Sequence, residues 1–198
     1  LVNRLLGQDR VMVSDIPGTT RDAIDVPFEV DGQRYTLIDT AGIRRKRAIE
    51  DDSLERYSVV RSLAAIRRCD VALIVLDANE GVTEQDSKIA GVVESEGKAA
   101  LVVVNKWDTI EKETSTMETM RKQVLSDLKF MAWAPVLFLS ALTGSRVQKL
   151  MGAVSEAYAQ TCKRVTTGVL NDVLADAQLA QQTPMSGGRR LKIYYGTQ

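Results

Sequence analysis

Four short apolar runs alternate with longer amphipathic segments along the chain. The runs are rich in β-branched residues and end at small or polar residues, which is typical of parallel strands buried on both faces. They are Arg34–Asp39, Val71–Asp77, Ala99–Asn105 and Pro135–Ser140. The segments at about 53–68, 84–96, 116–129 and 146–160 have apolar residues at three- and four-residue spacing, as amphipathic helices do. The alternation predicts an α/β fold with a doubly wound, mostly parallel sheet.

The first apolar run belongs to a predicted hairpin. Residues Pro27–Asp31 and Gln33–Asp39 meet at Asp31-Gly32, a dipeptide that favours the tight turns joining antiparallel strands. We expect this hairpin to add one antiparallel edge strand to the sheet.

Both ends of the sequence read as open. Leu1–Gly7 has the pattern of the last turns of an amphipathic helix that ends at a glycine, and Arg189–Tyr195 alternates like a half-buried strand. We therefore expect both segments to have structural partners beyond the sequence as written.

Composition limits the classes of protein that fit. With 198 residues, 44% hydrophobic and 26% charged, the chain can bury one sizeable core and a small second unit. Lys+Arg and Asp+Glu are both 26, so bulk positive charge does not hold nucleic acid here. Two cysteines and no histidine exclude His-dependent catalysis and the common zinc sites. No apolar run approaches the roughly 20 residues of a membrane span, and we expect a cytoplasmic protein without membrane contact.

The charge changes towards the end of the chain. From Lys163 onwards there are five basic residues against two acidic ones, whereas acidic residues are in excess before it. A predicted helix at Thr167–Ala180 and a turn-rich connector at Gln181–Gly188 follow. We therefore predict two domains, residues 1–162 and 163–198.

The residues that close the strands form a set of motifs. In a doubly wound sheet, ligands bind outside the carboxyl ends of the strands, so these positions are candidate site residues. A strand-end cap or a loop carboxylate explains any one motif alone, but their order and spacing favour a shared ligand site. The motifs are Pro17-Gly-Thr-Thr-Arg-Asp22, Asp39-Thr-Ala-Gly42, Asn105-Lys-Trp-Asp108 and Ser140-Ala-Leu142.

Together these motifs resemble those of the guanine-nucleotide-binding P-loop GTPases. Four features together resemble a bacterial group of translation-factor-related GTPases that includes Era, the tRNA-modification GTPase and Der. They are the Pro17–Asp22 loop, Ile43 directly after the Asp-Thr-Ala-Gly motif, Asn105–Asp108 and Ser140–Gly144. Further stretches are similar to the Der (EngA) family of tandem-GTPase ribosome-assembly proteins: Gly42–Arg47, Glu55–Leu63, Val165–Asn171 and Arg190–Tyr195. By this resemblance, residues 1–162 correspond to the second GTPase domain, and residues 163–198 open an incomplete α+β KH-like domain.

The resemblance implies a guanine pocket. The Asp108 carboxylate would accept two hydrogen bonds from the guanine ring N–H and amine, which adenine does not offer in that arrangement. Asn105 would brace the pocket, Lys106 would lay its aliphatic stem along the base, and the Ala141 N–H would meet the guanine carbonyl. The implied base-binding residues are Asn105, Lys106, Asp108, Ser140, Ala141 and Leu142.

The resemblance also implies a phosphate and magnesium site. Asp39 would hold the Mg²⁺ shell through water, and the Gly42 N–H would meet the terminal phosphate, with Thr40 and Ala41 beside it. Thr20 would place its hydroxyl on Mg²⁺ only when that phosphate is present. We therefore predict Thr20, Asp39 and Gly42 as the catalytic set, with GTP or GDP and Mg²⁺ as ligands.

Two departures from familiar GTPases affect the expected activity. The phosphate-cradling GxxxxGKS/T loop of the family would end just before Leu1, so we expect the chain as written to bind nucleotide poorly. Ile43 stands where Ras-like enzymes have a water-orienting glutamine. The resemblance suggests that K⁺ supplies extra positive charge instead, with Thr19 among its oxygen ligands, and we expect slow, cation-dependent hydrolysis.

The implied function is a GTP-binding and GTP-hydrolysing switch in the biogenesis of the large ribosomal subunit. Its implied partners are ribosomal RNA and an upstream GTPase domain of the same chain. The basic run Arg44–Arg47 reads equally as a signal to such a partner or as a solvated switch loop. Residues 163–198 show no GXXG loop of the RNA-clamping kind, so a protein interface is an alternative there. The alternative for the whole chain is a non-catalytic guanine-pocket scaffold or interaction fragment that lacks the phosphate loop.

Overall fold

A computed structural model of the chain describes residues 1–7, 24–39, 63–111, 113, 115–181 and 183–198; the side chains of Leu6, Ile24, Asp39 and Ser186 are not among the described parts. These residues form two compact units, Leu1–Tyr158 and Ala159–Gln198. The domain boundary after residue 162 stays a prediction.

Three parallel strands form the central sheet of the first unit. They are β3 (Val71–Asp77), β4 (Ala99–Asn105) and β5 (Val136–Phe138), with β4 in the middle. β3 and β4 have the predicted bounds and pair residue for residue, from Val71 opposite Ala99 to Asp77 opposite Asn105. β5 is shorter than predicted, but the Leu139 N–H still donates to the Val104 carbonyl at 3.0 Å. The loop after β5 is thereby held beside the end of β4.

Helices cover both faces of this sheet. α1 spans Val2–Leu6, and the helical residues 63–68 are labelled α2. The helices α3 (Glu84–Ser95), α4 (Thr116–Asp127) and α5 (Gln148–Thr161) lie where the sequence pattern predicts them. A capping box, in which the Thr83 hydroxyl and the Asp86 carboxylate exchange hydrogen bonds with each other's backbone N–H, begins α3. Among the described segments, no helix combines the length and apolar character needed to cross a membrane.

The central strand β4 is buried on both faces, as its uninterrupted apolar run predicts. Val102 and Val104 pack into the core on the side of α3 and α4. Leu101 and Val103 pack on the other side, in the core that α5 and α1 complete. All four residues are at most 2% exposed. The sheet therefore has a core layer on each face, as a doubly wound fold requires.

A separate hairpin consists of β1 (Ile24–Val30) and β2 (Gln33–Asp39). Its turn residues Asp31 and Gly32 both have positive φ, 51° and 77°, which is the primed turn that the Asp-Gly dipeptide predicts. Within the described ranges, β2 pairs antiparallel with β1 and with no other strand, so its predicted place as a buried parallel strand is not seen. An apolar run does not distinguish parallel from antiparallel pairing.

The second unit begins with the end of α5 and continues with α6 (Thr167–Ala180). A two-residue turn then joins β6 (Met185–Ser186) to β7 (Arg189–Arg190). Both turn residues are glycines with positive φ, 56° and 75°. The first strand and the turn of this hairpin lie in the segment predicted as a connector, and β7 begins the segment predicted as the final strand.

The predicted strand Arg189–Tyr195 is wrong beyond Arg190. Side-chain amides of α6 take the place of a partner strand for the residues that follow. The Gln178 amide accepts from the Ile193 N–H at 2.9 Å and donates to the Ile193 carbonyl at 3.0 Å. Asn171 makes the same pair of bonds with Gly196, at 2.8 and 3.3 Å. The alternating pattern is real, but backbone groups are satisfied here without a sheet.

Because β4 is buried on both faces, shortening one of its side chains should lower the stability of the fold substantially. Leu101 is fully buried, so Leu101→Ala is expected to lower the free energy of unfolding by about 2–5 kcal/mol through lost burial and a residual cavity. Urea titration followed by tryptophan fluorescence measures it, because Trp107 and Trp133 both lie in the first unit. Leu142→Ala is the control, with an expected change within about 0.5 kcal/mol because Leu142 is 82% exposed. Equal losses in both variants would contradict the assigned core.

Candidate functional site

The loops that follow β4 and β5 are joined by hydrogen bonds. The Asn105 side-chain carbonyl accepts from the Ala141 N–H at 3.0 Å. The Trp107 N–H donates to the Leu139 carbonyl at 3.1 Å. The structure therefore brings together two of the predicted motifs, Asn105–Asp108 and Ser140–Leu142, at one edge of the sheet.

The loop after β5 is folded around its own first residue. Ser140 is 1% exposed, and its hydroxyl accepts from the Thr143 N–H at 3.1 Å while its carbonyl accepts from the Gly144 N–H at 2.9 Å. Gly144 has φ +79°, and a Cβ there would collide with the Arg4 guanidinium. Arg4 in turn donates to the Thr143 carbonyl at 3.1 Å. Helix α1 thereby helps to fix the conformation of this loop.

Asp108 carries an unusual polar atom. It lies in a short 3₁₀ turn, Trp107–Thr109, that follows β4. Its Oδ1 is buried and has no hydrogen-bond partner among the described residues. A buried carboxylate oxygen without a donor costs free energy, commonly about 1–3 kcal/mol or more. Such an atom fits a site whose ligand brings N–H donors.

Lys106 is held by a buried carboxylate. Its Nζ lies 2.7 Å from Oδ2 of Asp77, whose side chain is 5% exposed while that of Lys106 is 58% exposed. Burial alone raises the pKa of Asp77, but hydrogen bonds from Lys106 and Asn79 outweigh it, and the pKa lies below the usual range. Asp77 is therefore a carboxylate at neutral pH, paired with the ammonium of Lys106.

The predicted donor Ala141 is already engaged. Its N–H points to Asn105, so a guanine carbonyl would have to share this donor or displace the Asn105 oxygen. Leu142 is 82% exposed and lies outside the core. Within the loop, the geometry supports a role for backbone groups rather than for the Leu142 side chain.

Asp77, Asn79 and Thr109 belong to none of the sequence motifs but lie at the site. The Thr109 hydroxyl lies 3.0 Å from the Asn79 side-chain oxygen and 2.8 Å from the Lys106 carbonyl, and Asn79 binds Asp77. The strand-end rule that selected Asp39 and Asn105 also points to Asp77, because Asp77 closes β3. Its register opposite Asn105 places it beside the site.

The predicted phosphate-side residues lie almost wholly outside the described residues. Asp39 is the last residue of β2, and its side chain is not described. A carboxylate and a hydroxyl, as Asp39 and Thr20 carry, are ligand types that Mg²⁺ prefers, and the magnesium site itself stays a prediction. The residues outside the description are Thr19, Thr20, Thr40, Ala41, Gly42 and the basic run Arg44–Arg47.

Two family models match the chain. Residues 1–106 match a family described as 50S ribosome-binding GTPase. Residues 164–198 match the KH-domain-like family of EngA bacterial GTPase enzymes, which is carboxyl-terminal in those proteins. Together these matches fall in both compact units.

Curated relatives match along the full chain. GTPase Der of Caldanaerobacter subterraneus subsp. tengcongensis and GTPase Der of Acetivibrio thermocellus are each 54% identical over 198 residues, which is 100% of this chain. The chain covers 45% of each relative, so it spans about half the length of the proteins it matches.

Solved structures share the fold. A crystal structure of Era with MgGDPNP and a piece of 16S ribosomal RNA has a TM-score of 0.68 at 23% identity, covering 79% of this chain and 51% of that one. A probable GTP-binding protein engB has a TM-score of 0.60 at 17% identity, covering 80% and 90%. These likenesses concern the P-loop GTPase fold. The family model over residues 1–106 places this chain in the 50S ribosome-binding GTPase family, and the identity to GTPase Der together with the EngA model confirms the resemblance to the Der (EngA) group.

Proposed function

We propose that the chain provides the guanine-binding side of a GTP-hydrolysing switch. The observation that carries the proposal is the buried Oδ1 of Asp108, which has no partner among the described residues. Asp108 lies beside the hydrogen-bonded loops of Asn105 and Ala141. It follows Lys106, whose ammonium is anchored by Asp77, by two residues. A base with two adjacent N–H donors would satisfy Asp108.

Guanine fits this arrangement better than adenine. Its ring N–H and its neighbouring amine present two donors on one edge, and a carboxylate accepts both in parallel. Adenine offers an acceptor at the corresponding ring nitrogen, which would face the Asp108 oxygen and leave it unpaired. Lys106 would lie along the base with its stem, and Asn105 would hold the loop of Ala141 in reach of the base carbonyl.

The phosphate side of the proposal rests on residue types. Mg²⁺, when bound, would neutralise charge that develops on the transferring phosphate. Asp39 would orient the water shell of the ion, and Thr20 would add its hydroxyl. The Gly42 N–H would donate to the terminal phosphate, with Thr40 and Ala41 setting the course of that loop. Thr20, Asp39 and Gly42 are the residues we propose as catalytic.

Ile43 bears on how the attacking water is oriented in the proposed hydrolysis. A branched aliphatic side chain has no group that orients an attacking water, so the glutamine strategy of Ras-like enzymes is not open to this chain. We propose that a monovalent cation, K⁺, supplies the missing positive charge, with Thr19 among its ligands. Intrinsic turnover is then slow and depends on the cation.

The proposed place of action is the large ribosomal subunit in the bacterial cytoplasm. The description of the matching family, 50S ribosome-binding GTPase, supports this partner. The second unit adds exposed Arg189, Arg190 and Lys192 next to Tyr194 and Tyr195, which are 85% and 66% exposed. Basic side chains and exposed aromatic rings together suit the backbone and unstacked bases of RNA. An upstream GTPase domain of the same protein is the proposed intramolecular partner.

The guanine pocket predicts a switch of base preference in Asp108→Asn. The amide loses one acceptor and gains a donor, so GDP affinity should fall roughly 100-fold. Xanthosine diphosphate, which has a carbonyl in place of the guanine amine, should bind the variant more tightly than GDP does. Equilibrium binding to the full-length product of the gene measures both.

Asp127→Asn is the matched control, because Asp127 is exposed at the end of α4 and its carboxylate accepts, within the described part of the chain, from the Gln123 amide. It should bind GDP as the wild type does. A folded Asp108→Asn variant with unchanged base preference would refute the pocket. Guanine binding without any hydrolysis would leave the non-catalytic scaffold as the function.

Cation dependence separates the proposed mechanism from a glutamine-type one. At equal ionic strength, GTP hydrolysis by the full-length protein should be at least about tenfold faster in KCl than in NaCl, because an added charge near the phosphates stabilises the transition state. Phosphate release under single-turnover conditions measures the rate, with nucleotide affinity determined in both salts as the control. Equal rates in the two salts would sink the K⁺ proposal.

The RNA proposal predicts a change in salt dependence. Replacing Arg189 and Arg190 by Gln should weaken binding of the full-length protein to large-subunit ribosomal RNA and lower the slope of log affinity against log salt by roughly 1 to 2. Arg189→Lys with Arg190→Lys, which keeps the charge, should retain the slope. An unchanged slope in the Gln variant, with RNA binding intact, would favour a protein interface for this unit.

A further inference from the structure

Asp77 is buried at the carboxyl end of β3 and is fully engaged. Its Oδ1 accepts from the backbone N–H and the side-chain amide of Asn79, both at 3.0 Å. Its Oδ2 faces the ammonium of Lys106 at 2.7 Å. The Asn79 bonds close the turn after β3, whereas the Lys106 bond reaches across to the loop after β4. Closing a turn needs only the first of these two sets.

Lys106 has a backbone conformation that its neighbours must hold. Its φ and ψ are 61° and 31°, in the left-handed region that residues other than glycine rarely adopt. Such a conformation costs of order 1 kcal/mol or more and persists only where the surroundings fix it. The ion pair with Asp77 holds the end of this side chain, while 58% of the side chain stays exposed and available to a ligand.

A second contact braces the same loop. The Thr109 hydroxyl reaches the Asn79 side-chain oxygen at 3.0 Å and the Lys106 carbonyl at 2.8 Å. Asp108 lies between these two residues in the sequence. The end of β3 is therefore tied to the loop on both sides of the buried carboxylate, through Lys106 before it and Thr109 after it.

We propose that Asp77 is a positioning residue of the base site, acting through Lys106. By anchoring the ammonium, Asp77 holds the aliphatic stem of Lys106 in position to lie along the face of a flat base. The anchor also removes the need to order a free lysine when the ligand binds. The proposal rests on the proposed guanine-binding function and adds to it a residue from a strand that carries none of the sequence motifs.

The decisive variants change the anchor while keeping the stem. Lys106→Met retains an apolar stem of similar length but has no ammonium, so it should raise the dissociation constant for GDP about tenfold, mainly through faster dissociation. Lys106→Arg keeps a cation that reaches Asp77 and should stay within about threefold of the wild type. Stopped-flow fluorescence with a fluorescent GDP analogue on the full-length protein measures both rates.

Asp77→Asn tests the same contact from the buried side. It should raise the dissociation constant about tenfold, and the double variant with Lys106→Met should be no weaker than Lys106→Met alone, because both remove one interaction. Glu84→Gln is the control, since the exposed Glu84–Lys88 pair has the same 2.7 Å separation, and it should bind GDP as the wild type does.

Two results would overturn the inference without touching the proposed function. One is wild-type affinity in Lys106→Met, which would show that the stem needs no anchor. The other is additive losses in the double variant, which would assign Asp77 a purely structural role. Failure of the wild-type protein to bind any guanine nucleotide would instead refute the proposed function. If Asp77→Asn does not fold, the comparison of Lys106→Met with Lys106→Arg still decides, because Lys106 is exposed.

Discussion

The parallel pairing of β3 with β4 is the constraint on which the candidate site depends. Burial of β4 on both faces leaves one register in which its side chains fill the two core layers, and in that register Asp77 lies opposite Asn105. The ends of the strands then fall at one edge, and the loops that leave them meet there. A shift of one residue would put Leu101 and Val103 into the wrong layer, so the core holds the site in place.

Two carboxylates at this edge show how the same chemical group serves two purposes. Asp77 is buried with donors on both oxygens, and its low pKa reflects that hydrogen bonds to Lys106 and Asn79 outweigh the cost of burial. Asp108 has a buried oxygen without a donor among the described residues. The first arrangement stabilises a loop, and the second leaves a buried acceptor whose donors the proposed guanine ligand would supply.

Elements that depend on local sequence patterns were predicted correctly, whereas one that depends on a tertiary contact was not. The bounds of β3 and β4 were predictable to the residue because continuous apolar runs between polar ends favour a strand that is buried on both faces. The hairpin turn was predictable because Asp-Gly suits two positive φ values. The strand beyond Arg190 was not, since Gln178 and Asn171 satisfy the backbone with their side-chain amides, and no periodicity encodes that contact.

The sequence by itself determined the fold class, the family resemblance and the base-side motifs, because these depend on local composition and on the order of residues along the chain. Only the tertiary structure decided that Asp77 holds Lys106, that Asn105 already occupies the Ala141 N–H, and that an oxygen of Asp108 is buried without a donor in the described part of the chain. Those facts depend on which groups meet across 29 to 36 positions of sequence, and burial and hydrogen bonding are settled only where such distant segments pack together.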